Sequence, residues 1–143
     1  MPTNGEAIIC PSNSYKSQKK LKNKNIKSLN EIKKIVYEAE KIIQKRNLNK
    51  NIIPKFGELL SKNWYWKKNN NKNVSYNEVD NVYKLGIKYG AYGGKLLGAG
   101  GGGYFFFLIS KKNQVKLKKK LKRFSTIIVK IYHKGTEVIY ENE

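Results

Sequence analysis

The chain has 143 residues, of which 39% are hydrophobic, and it carries a formal net charge of +20. This length allows one domain with a modest core, and no apolar run approaches the roughly 20 residues that span a bilayer, so we expect no membrane partner. The single cysteine, Cys10, excludes an internal disulfide and fits a cytoplasmic location, and together with the single His133 it is too little for a zinc site.

The positive charge does not predict a specific nucleic-acid partner. Only two of the 30 basic residues, Arg46 and Arg123, are arginines. Proteins that read base edges and phosphates favour the planar fork of arginine. Lysine is instead enriched together with asparagine, as in residues 69–73. We therefore expect only a weak, salt-sensitive attraction to polyanions.

The N-terminal third predicts a tail followed by a helix. Residues 1–14 contain Pro2 and Pro11 and show no periodicity, so we expect a poorly ordered tail and place the domain at residues 15–143. Ser28 and Glu31 form a capping box, which predicts a helix that begins at Ser28. The apolar positions of this helix form one stripe and comprise Leu29, Ile32, Ile35, Val36, Ala39, Ile42 and Ile43.

Two more helices are predicted before the glycine-rich part of the chain. Pro54 is typical of a first helical turn, and Phe56, Leu59, Leu60 and Trp64 mark the buried side of this second helix. A second capping box, at Ser75 and Glu78, predicts a third helix, which Gly90 ends. Its inner face comprises Val79, Val82 and Tyr83, with Leu85 and Tyr89 beside them.

The last third predicts strands around one more helix. Tyr104–Ile109 has no polar member and is typical of a strand buried on both faces. Residues 113–124 predict a short helix that buries Leu117, Leu121 and Phe124. Thr126–Tyr132 and Glu137–Tyr140 predict a hairpin. The order predicts an α+β domain with helices packed on one face of a small, mostly antiparallel sheet.

Eight glycines fall within residues 90–103, which we interpret as a loop. Such a run is costly unless the backbone must approach a ligand or aim its amides at an anion. A Walker A loop is excluded because Leu96, not serine or threonine, follows Lys95. Gly98, Gly100 and Gly103 match a dinucleotide fingerprint, but here a helix precedes and a strand follows, which is the reverse of the required context.

Residues 90–103 resemble the third conserved motif of the GHMP kinases, the family of galactokinase, homoserine kinase, mevalonate kinase and phosphomevalonate kinase. Within the family they are most similar to sugar kinases of the D-glycero-D-manno-heptose 7-phosphate kinase and fucokinase type. Phe56–Leu60, Trp64 and the Lys67-Lys68 pair resemble the preceding helix of those enzymes, and Ile131–Tyr140 resembles their closing hairpin.

The resemblance extends from about Ser12 to Glu143 and implies a ferredoxin-like C-terminal domain of an ATP-dependent sugar or sugar-phosphate kinase that uses Mg2+. The family's phosphate-binding motif, Pro-x-x-x-Gly-Leu-Gly-Ser-Ser-Ala, belongs to an N-terminal domain and does not occur in this sequence. We therefore expect no catalytic residue here, little activity of the chain alone, and a separately encoded N-terminal half as a candidate partner.

The resemblance places the glycine motif in the active-site cleft. The matching positions that we expect to contact ligand are Gly93, Gly94, Lys95, Gly98, Ala99, Gly100, Gly101 and Gly102. Lys95 would add a point charge to backbone amides. The alternative is that Lys95 caps the third helix or points to solvent, while the glycines only form a tight, packed turn.

Two other functions stay open. In the first, the chain is a non-catalytic module that binds phosphate-bearing metabolites. In the second, its basic surface binds nucleic acid without sequence preference.

Asp80 is the only aspartate and is predicted to favour the dipole of the third helix. His133 is predicted to lie in an exposed turn.

Overall fold

The computed structural model describes residues 6–12, 26–45, 51–70, 74–98 and 100–129. In chain order the elements are β1 (Glu6–Ser12), α1 (Ile26–Gln44), α2 (Ile52–Asn70), α3 (Asn77–Lys88), β2 (Ala91–Leu96), β3 (Gly103–Ile109), α4 (Lys111–Lys120) and β4 (Ile127–Val129). The four strands form one sheet in the order β2-β3-β1-β4, and every neighbouring pair is antiparallel. The predicted α+β architecture is therefore confirmed.

Strand β1 corrects the prediction of an N-terminal tail. Glu6–Ser12 pairs with β3 on one side, from Glu6 opposite Ile109 to Ser12 opposite Gly103, and with β4 on the other. The apolar run of this segment is too short to show a period in the sequence. Its strand conformation depends on ladders to residues almost one hundred positions away, which local patterns do not reveal.

The core lies on one side of β3. Phe105, Phe107 and Ile109 alternate along the strand and are almost completely buried, as expected for residues that share one face. Trp64 packs edge-on against Phe105 with ring centroids 5.6 Å apart, and Phe105 stacks on Phe107 at 4.7 Å. The other buried members of this cluster are Val74, Val79, Val82, Leu96, Leu117 and Leu121.

The helices confirm the predicted inner faces of α2, α3 and α4, but two helix starts differ. Ser28 is a buried residue inside α1, which begins at Ile26. The N-cap of α3 is Tyr76, one residue after the predicted Ser75, and it has no side-chain cap; the Ser75 hydroxyl donates to Asp80. Gly90 ends α3 as predicted, with its N–H donated to the carbonyl of Ile87.

The apolar stripe of α1 is only partly buried. Ile35 is buried, whereas Val36 and Ile43 are 58% and 64% exposed. The reason is that α1 packs against α2, and a single neighbouring helix covers only a narrow part of a wide apolar stripe. At the other end of the chain, β4 confirms the start of the predicted strand Thr126–Tyr132. Its remainder and Glu137–Tyr140 lie outside the described residues.

The first half of the glycine-rich segment is a strand, not the loop that the sequence predicted. Gly93 and Gly94 are buried in β2, against which α2 packs. A Cβ atom at Gly93 would lie 1.7 Å from the carbonyl oxygen of Gly57, and a Cβ atom at Gly94 would lie 2.5 Å from the Phe107 ring. Glycine inside a strand marks such a close approach, so these two glycines serve packing.

We expect Gly93→Ala to lower the free energy of unfolding by about 3 kcal/mol or more, because the new methyl group meets the α2 backbone and not a flexible side chain. Gly98→Ala is the control: nothing lies within 4 Å of its Cβ position, and only its φ of +81° opposes the change, at a cost of about 1 kcal/mol. Urea denaturation followed by circular dichroism measures both. Equal losses for the two variants would rule out the backbone contact.

Candidate functional site

The second half of the glycine-rich segment joins β2 to β3. We call residues 97–102 the glycine loop; Ala99 lies outside the described residues. The loop is closed by a hydrogen bond of 2.8 Å from the Leu97 N–H to the Tyr104 carbonyl. Gly98, Gly100 and Gly101 have φ angles of +81°, +106° and +70°, a region that side chains disfavour. These glycines therefore set a backbone conformation, in contrast to the packed glycines of β2.

The far end of the loop rests on the junction between α2 and α3. The Gly101 N–H donates to the carbonyl of Val74 at 3.1 Å. A Cβ atom at Gly100 would lie 2.9 Å from both methyl groups of Val74. Val74 is buried in the core cluster, so this side of the loop is attached to the packed interior of the domain.

Several amides of the loop are not used. Within the described part of the chain, the N–H groups of Gly98, Gly100 and Gly102 donate no hydrogen bond, and Gly98 is exposed. Backbone N–H groups without partners are available to an anion where no side chain blocks them; here these groups alternate along the loop, because the Gly101 N–H between two of them donates to Val74. The glycine loop is therefore the candidate anion site of the described residues.

Two lysines lie beside the loop. The Lys67 ammonium, from the last turn of α2, donates to the carbonyls of Leu96, at 3.2 Å, and Gly98. The Lys95 ammonium, from β2, donates to the Asn63 amide oxygen at 2.8 Å. Neither has a carboxylate within 4.0 Å among the described residues. Lys95 thus neither caps α3 nor extends freely into solvent.

Burial changes the pKa of both lysines in the same direction. Desolvation lowers the pKa of Lys67, and the nearby charge of Lys95 lowers it further. Desolvation also lowers the pKa of Lys95. The charges of Lys67 and Lys95 thus influence each other, and neither is neutralised by a carboxylate of the described residues. Such an excess of positive charge beside the loop favours an anion.

Asp80 stabilises the α2–α3 junction, against which the glycine loop packs. Its carboxylate accepts hydrogen bonds of 2.9 Å from both the Lys68 ammonium and the Ser75 hydroxyl. Burial alone would raise the pKa of Asp80, but these two hydrogen bonds and the charges of Lys68 and Lys84 outweigh it, so the pKa is lowered. Asp80 lies in the first turn of α3, where we expected it, and its carboxylate connects α3 to the end of α2.

The structure divides the predicted site residues into two groups. Gly93 and Gly94 are packing residues of β2. Lys95 donates to Asn63 of α2, and Gly100 and Gly101 contact Val74 at the α2–α3 junction, while Gly98 and Gly102 belong to the same loop. Sequence reasoning missed Asn63 and Lys67 as members of the site. The only signal for Lys67 was its place in the Lys67-Lys68 pair, and Asn63 carried none.

The part of the chain that the structure describes contains no evident metal site. Among the described ranges, no group of three or more His, Cys, Asp or Glu side chains is arranged to hold a metal ion. In the same ranges, none of the helices has the length and apolar character needed to cross a membrane.

Comparison with known proteins gives one family. The model of the family described as GHMP kinases C terminal matches residues 45–126 of this chain. Among curated proteins, none matches. The match includes α2, α3, β2, the glycine loop and β3, which are the elements that build the site.

Solved structures of kinases share the fold. Mevalonate kinase from Methanococcus jannaschii is 28% identical with a TM-score of 0.54, over 89% of this chain and 39% of that one. The structure of L. major mevalonate kinase in complex with R-mevalonate gives 22% identity and a TM-score of 0.61, over 85% and 39%. Lactococcus lactis galactokinase complexed with galactose gives 15% and 0.52, over 90% and 45%. The chain thus spans about two fifths of the length of these kinases.

The lowered pKa of Asp80 predicts how stability depends on pH. The stabilisation exists above the ordinary carboxyl pKa of 3.8 and is lost as the pH falls through the lower pKa of the folded state. We expect Asp80→Asn to cost at most about 1 kcal/mol near neutral pH, because solvent screens a side chain that is 36% exposed. The difference from the parent chain should vanish in acid.

Urea denaturation between about pH 7 and pH 2.5 measures this difference. Glu78→Gln is the control, because the pair of Glu78 with Arg123 is exposed and its atoms are 3.9 Å apart; we expect a change within about 0.5 kcal/mol near neutral pH. A cost for Asp80→Asn that stays constant into acid would show that the carboxylate charge does not brace the junction.

Proposed function

This chain belongs to the family of GHMP kinase C-terminal domains, and we propose that it forms one wall of a cleft in which a phosphoryl group passes from ATP to the hydroxyl group of a small acceptor. The observation that supports this proposal most directly is the glycine loop, whose amides at Gly98, Gly100 and Gly102 have no partner within the described residues. Lys67 and Lys95 add positive charge beside these amides.

The arrangement suits phosphoryl transfer, which requires positioning and charge stabilisation more than covalent chemistry from the protein. ATP, when bound, supplies the phosphoryl group. The amides of the loop would hold its phosphate oxygens, and Gly98 leaves space for them because nothing lies within 4 Å of its Cβ position. The Lys95 ammonium, held by Asn63, would orient or neutralise the same anion.

Mg2+ is implied by the family, but the described residues do not supply a ligand set for it. We therefore assign no residue of this chain to the metal. The remaining machinery, including the Pro-x-x-x-Gly-Leu-Gly-Ser-Ser-Ala motif that the sequence lacks, would come from an N-terminal half, either joined to this chain or encoded separately.

The acceptor that we propose is a sugar or sugar phosphate. This choice depends on the similarity of residues 90–103 to heptose 7-phosphate kinases and fucokinases. Mevalonate is the second candidate, because the Methanococcus jannaschii mevalonate kinase is 28% identical to this chain. Both candidates carry a hydroxyl group that accepts the phosphoryl group.

A non-catalytic module is the alternative function. The free amides of the loop and the two lysines would bind a phosphate-bearing metabolite equally well without any transfer. Binding of a sugar phosphate with no turnover, even beside an N-terminal half, would favour the module over the kinase.

We predict that this chain consumes ATP only when it is mixed with an N-terminal half that carries the missing motif, because the groups that hold ATP are divided between the two. A coupled assay for ADP release, with sugars, sugar phosphates and mevalonate as acceptors, measures this. Full activity of the chain alone would show that the groups that hold ATP are not divided between the two halves.

A matched pair of variants tests the loop in that assay. Asparagine and aspartate both tolerate a positive φ, so Gly98→Asn and Gly98→Asp differ only in charge. We expect Gly98→Asp to lower kcat/KM at least about tenfold below Gly98→Asn, because a carboxylate repels the phosphate over a short distance. Equal activities would place the transferred phosphate away from Gly98.

A further inference from the structure

The side chain of Lys67 crosses from the end of α2 to the glycine loop. We propose that Lys67 is a positioning residue, whose ammonium holds the loop in the conformation that leaves the amides of Gly98, Gly100 and Gly102 free. The use of those amides to bind phosphate rests on the proposed function. The conformational role of Lys67 does not, and it can be measured without a substrate.

One ammonium joins two backbone positions. Lys67 donates to the carbonyl of Leu96, the last residue of β2, and to the carbonyl of Gly98, inside the loop. Charge-assisted hydrogen bonds of this kind are stronger than bonds between neutral groups. The chain is thus fixed on both sides of Leu97, at the point where it leaves the strand and its φ angle becomes positive.

The second attachment comes from the same region of the fold. Gly101 is tied to Val74, which follows α2 in the chain. The end of α2 therefore holds the loop near its start through Lys67, and the α2–α3 junction holds it near its end through Val74. Gly98 carries the first attachment through its carbonyl and Gly100 lies between the two; neither amide has a partner among the described residues.

Lys67 projects from a rigid element. Trp64, one turn earlier on α2, is 1% exposed and packs against Phe105. The Lys68 ammonium lies 5.6 Å from the centre of the Trp64 ring and is paired with Asp80. A side chain that starts from such a fixed helix end can fix the loop that it reaches.

Lys67 differs from an ordinary surface lysine in its hydrogen-bond partners. Lys62, on the same helix, is 59% exposed and reaches only Glu38, at 4.0 Å. Lys67 is half-buried, lies near the charge of Lys95, and has carbonyl oxygens as its hydrogen-bond acceptors. Burial and the like charge of Lys95 both disfavour the charged form of Lys67. The hydrogen bonds to the two carbonyls offset this cost.

The test compares three variants of the full chain by backbone 15N relaxation without any ligand. Lys67→Met removes both hydrogen bonds and keeps an apolar stem, Lys67→Arg keeps the charge and the donors, and Lys55→Met removes an exposed lysine of the same helix. We expect the order parameters of Gly98, Gly100 and Gly102 to fall from about 0.85 to below about 0.6 in Lys67→Met alone.

Titration with inorganic phosphate gives a second readout. From the phosphate-induced shifts of the loop amides, we expect Lys67→Met to raise the Kd for phosphate about tenfold, which corresponds to about 1.4 kcal/mol, while Lys55→Met, with the same loss of charge, changes the Kd less than about twofold. If the loop of Lys67→Met stays as rigid as the parent, the positioning role is wrong, and any weaker phosphate binding is electrostatic.

Slow hydrogen exchange of β3 amides verifies that each variant is folded. If Lys67→Met does not fold, Lys67→Gln replaces it. An unfolded Lys67→Gln would show that the ammonium stabilises the whole domain and would overturn a role confined to the loop. The relaxation experiment uses the chain alone and reports only on the role of Lys67. If the proposed kinase function is wrong, the mixture with an N-terminal half is inactive, but the relaxation results for Lys67→Met are unaffected.

Discussion

The backbone contact between α2 and β2 at Gly57 and Gly93 sets the position of the elements around the glycine loop. No side chain separates the helix from the strand at this point, because a Cβ atom on either glycine would lie within 2.4 Å of the opposite element. Since α2 is a rigid helix, the contact also fixes the position of its later turns. Asn63 and Lys67 therefore reach Lys95 and the glycine loop from a fixed helix.

This contact explains why one glycine-rich segment has two physical roles. Gly93 and Gly94 are small so that α2 and the ring of Phe107 can pack closely. The glycines after Leu97 are needed because their φ angles are positive. The first group lets α2 pack closely enough for Lys67 to reach the loop. In the second group, the amides of Gly98, Gly100 and Gly102 have no partner within the described residues. We propose that the result is an anion-binding surface, in a domain that belongs to the family described as GHMP kinases C terminal.

The sequence predicted much of the fold because helices α2, α3 and α4 carry local signals, such as the apolar spacing of Val79 and Val82 and the glycine that ends α3. It failed for β1 and β2, whose strand conformation depends on distant ladders. The resemblance of the glycine motif indicated the candidate site, whose ligand contacts stay a prediction. The role of Lys67 was not predictable, because its acceptors are backbone carbonyls 29 and 31 positions away that have no sequence signature.

In the proposed function, the glycine loop binds an anion through its backbone amides. A crystal of the chain soaked with tungstate, an electron-dense phosphate analogue, tests it most directly through anomalous diffraction. We predict an anomalous peak within hydrogen-bond distance of the Gly98 and Gly100 amides, with the Lys95 ammonium nearby. Peaks that appear only at exposed surface lysines, with none at the loop, would contradict the claim.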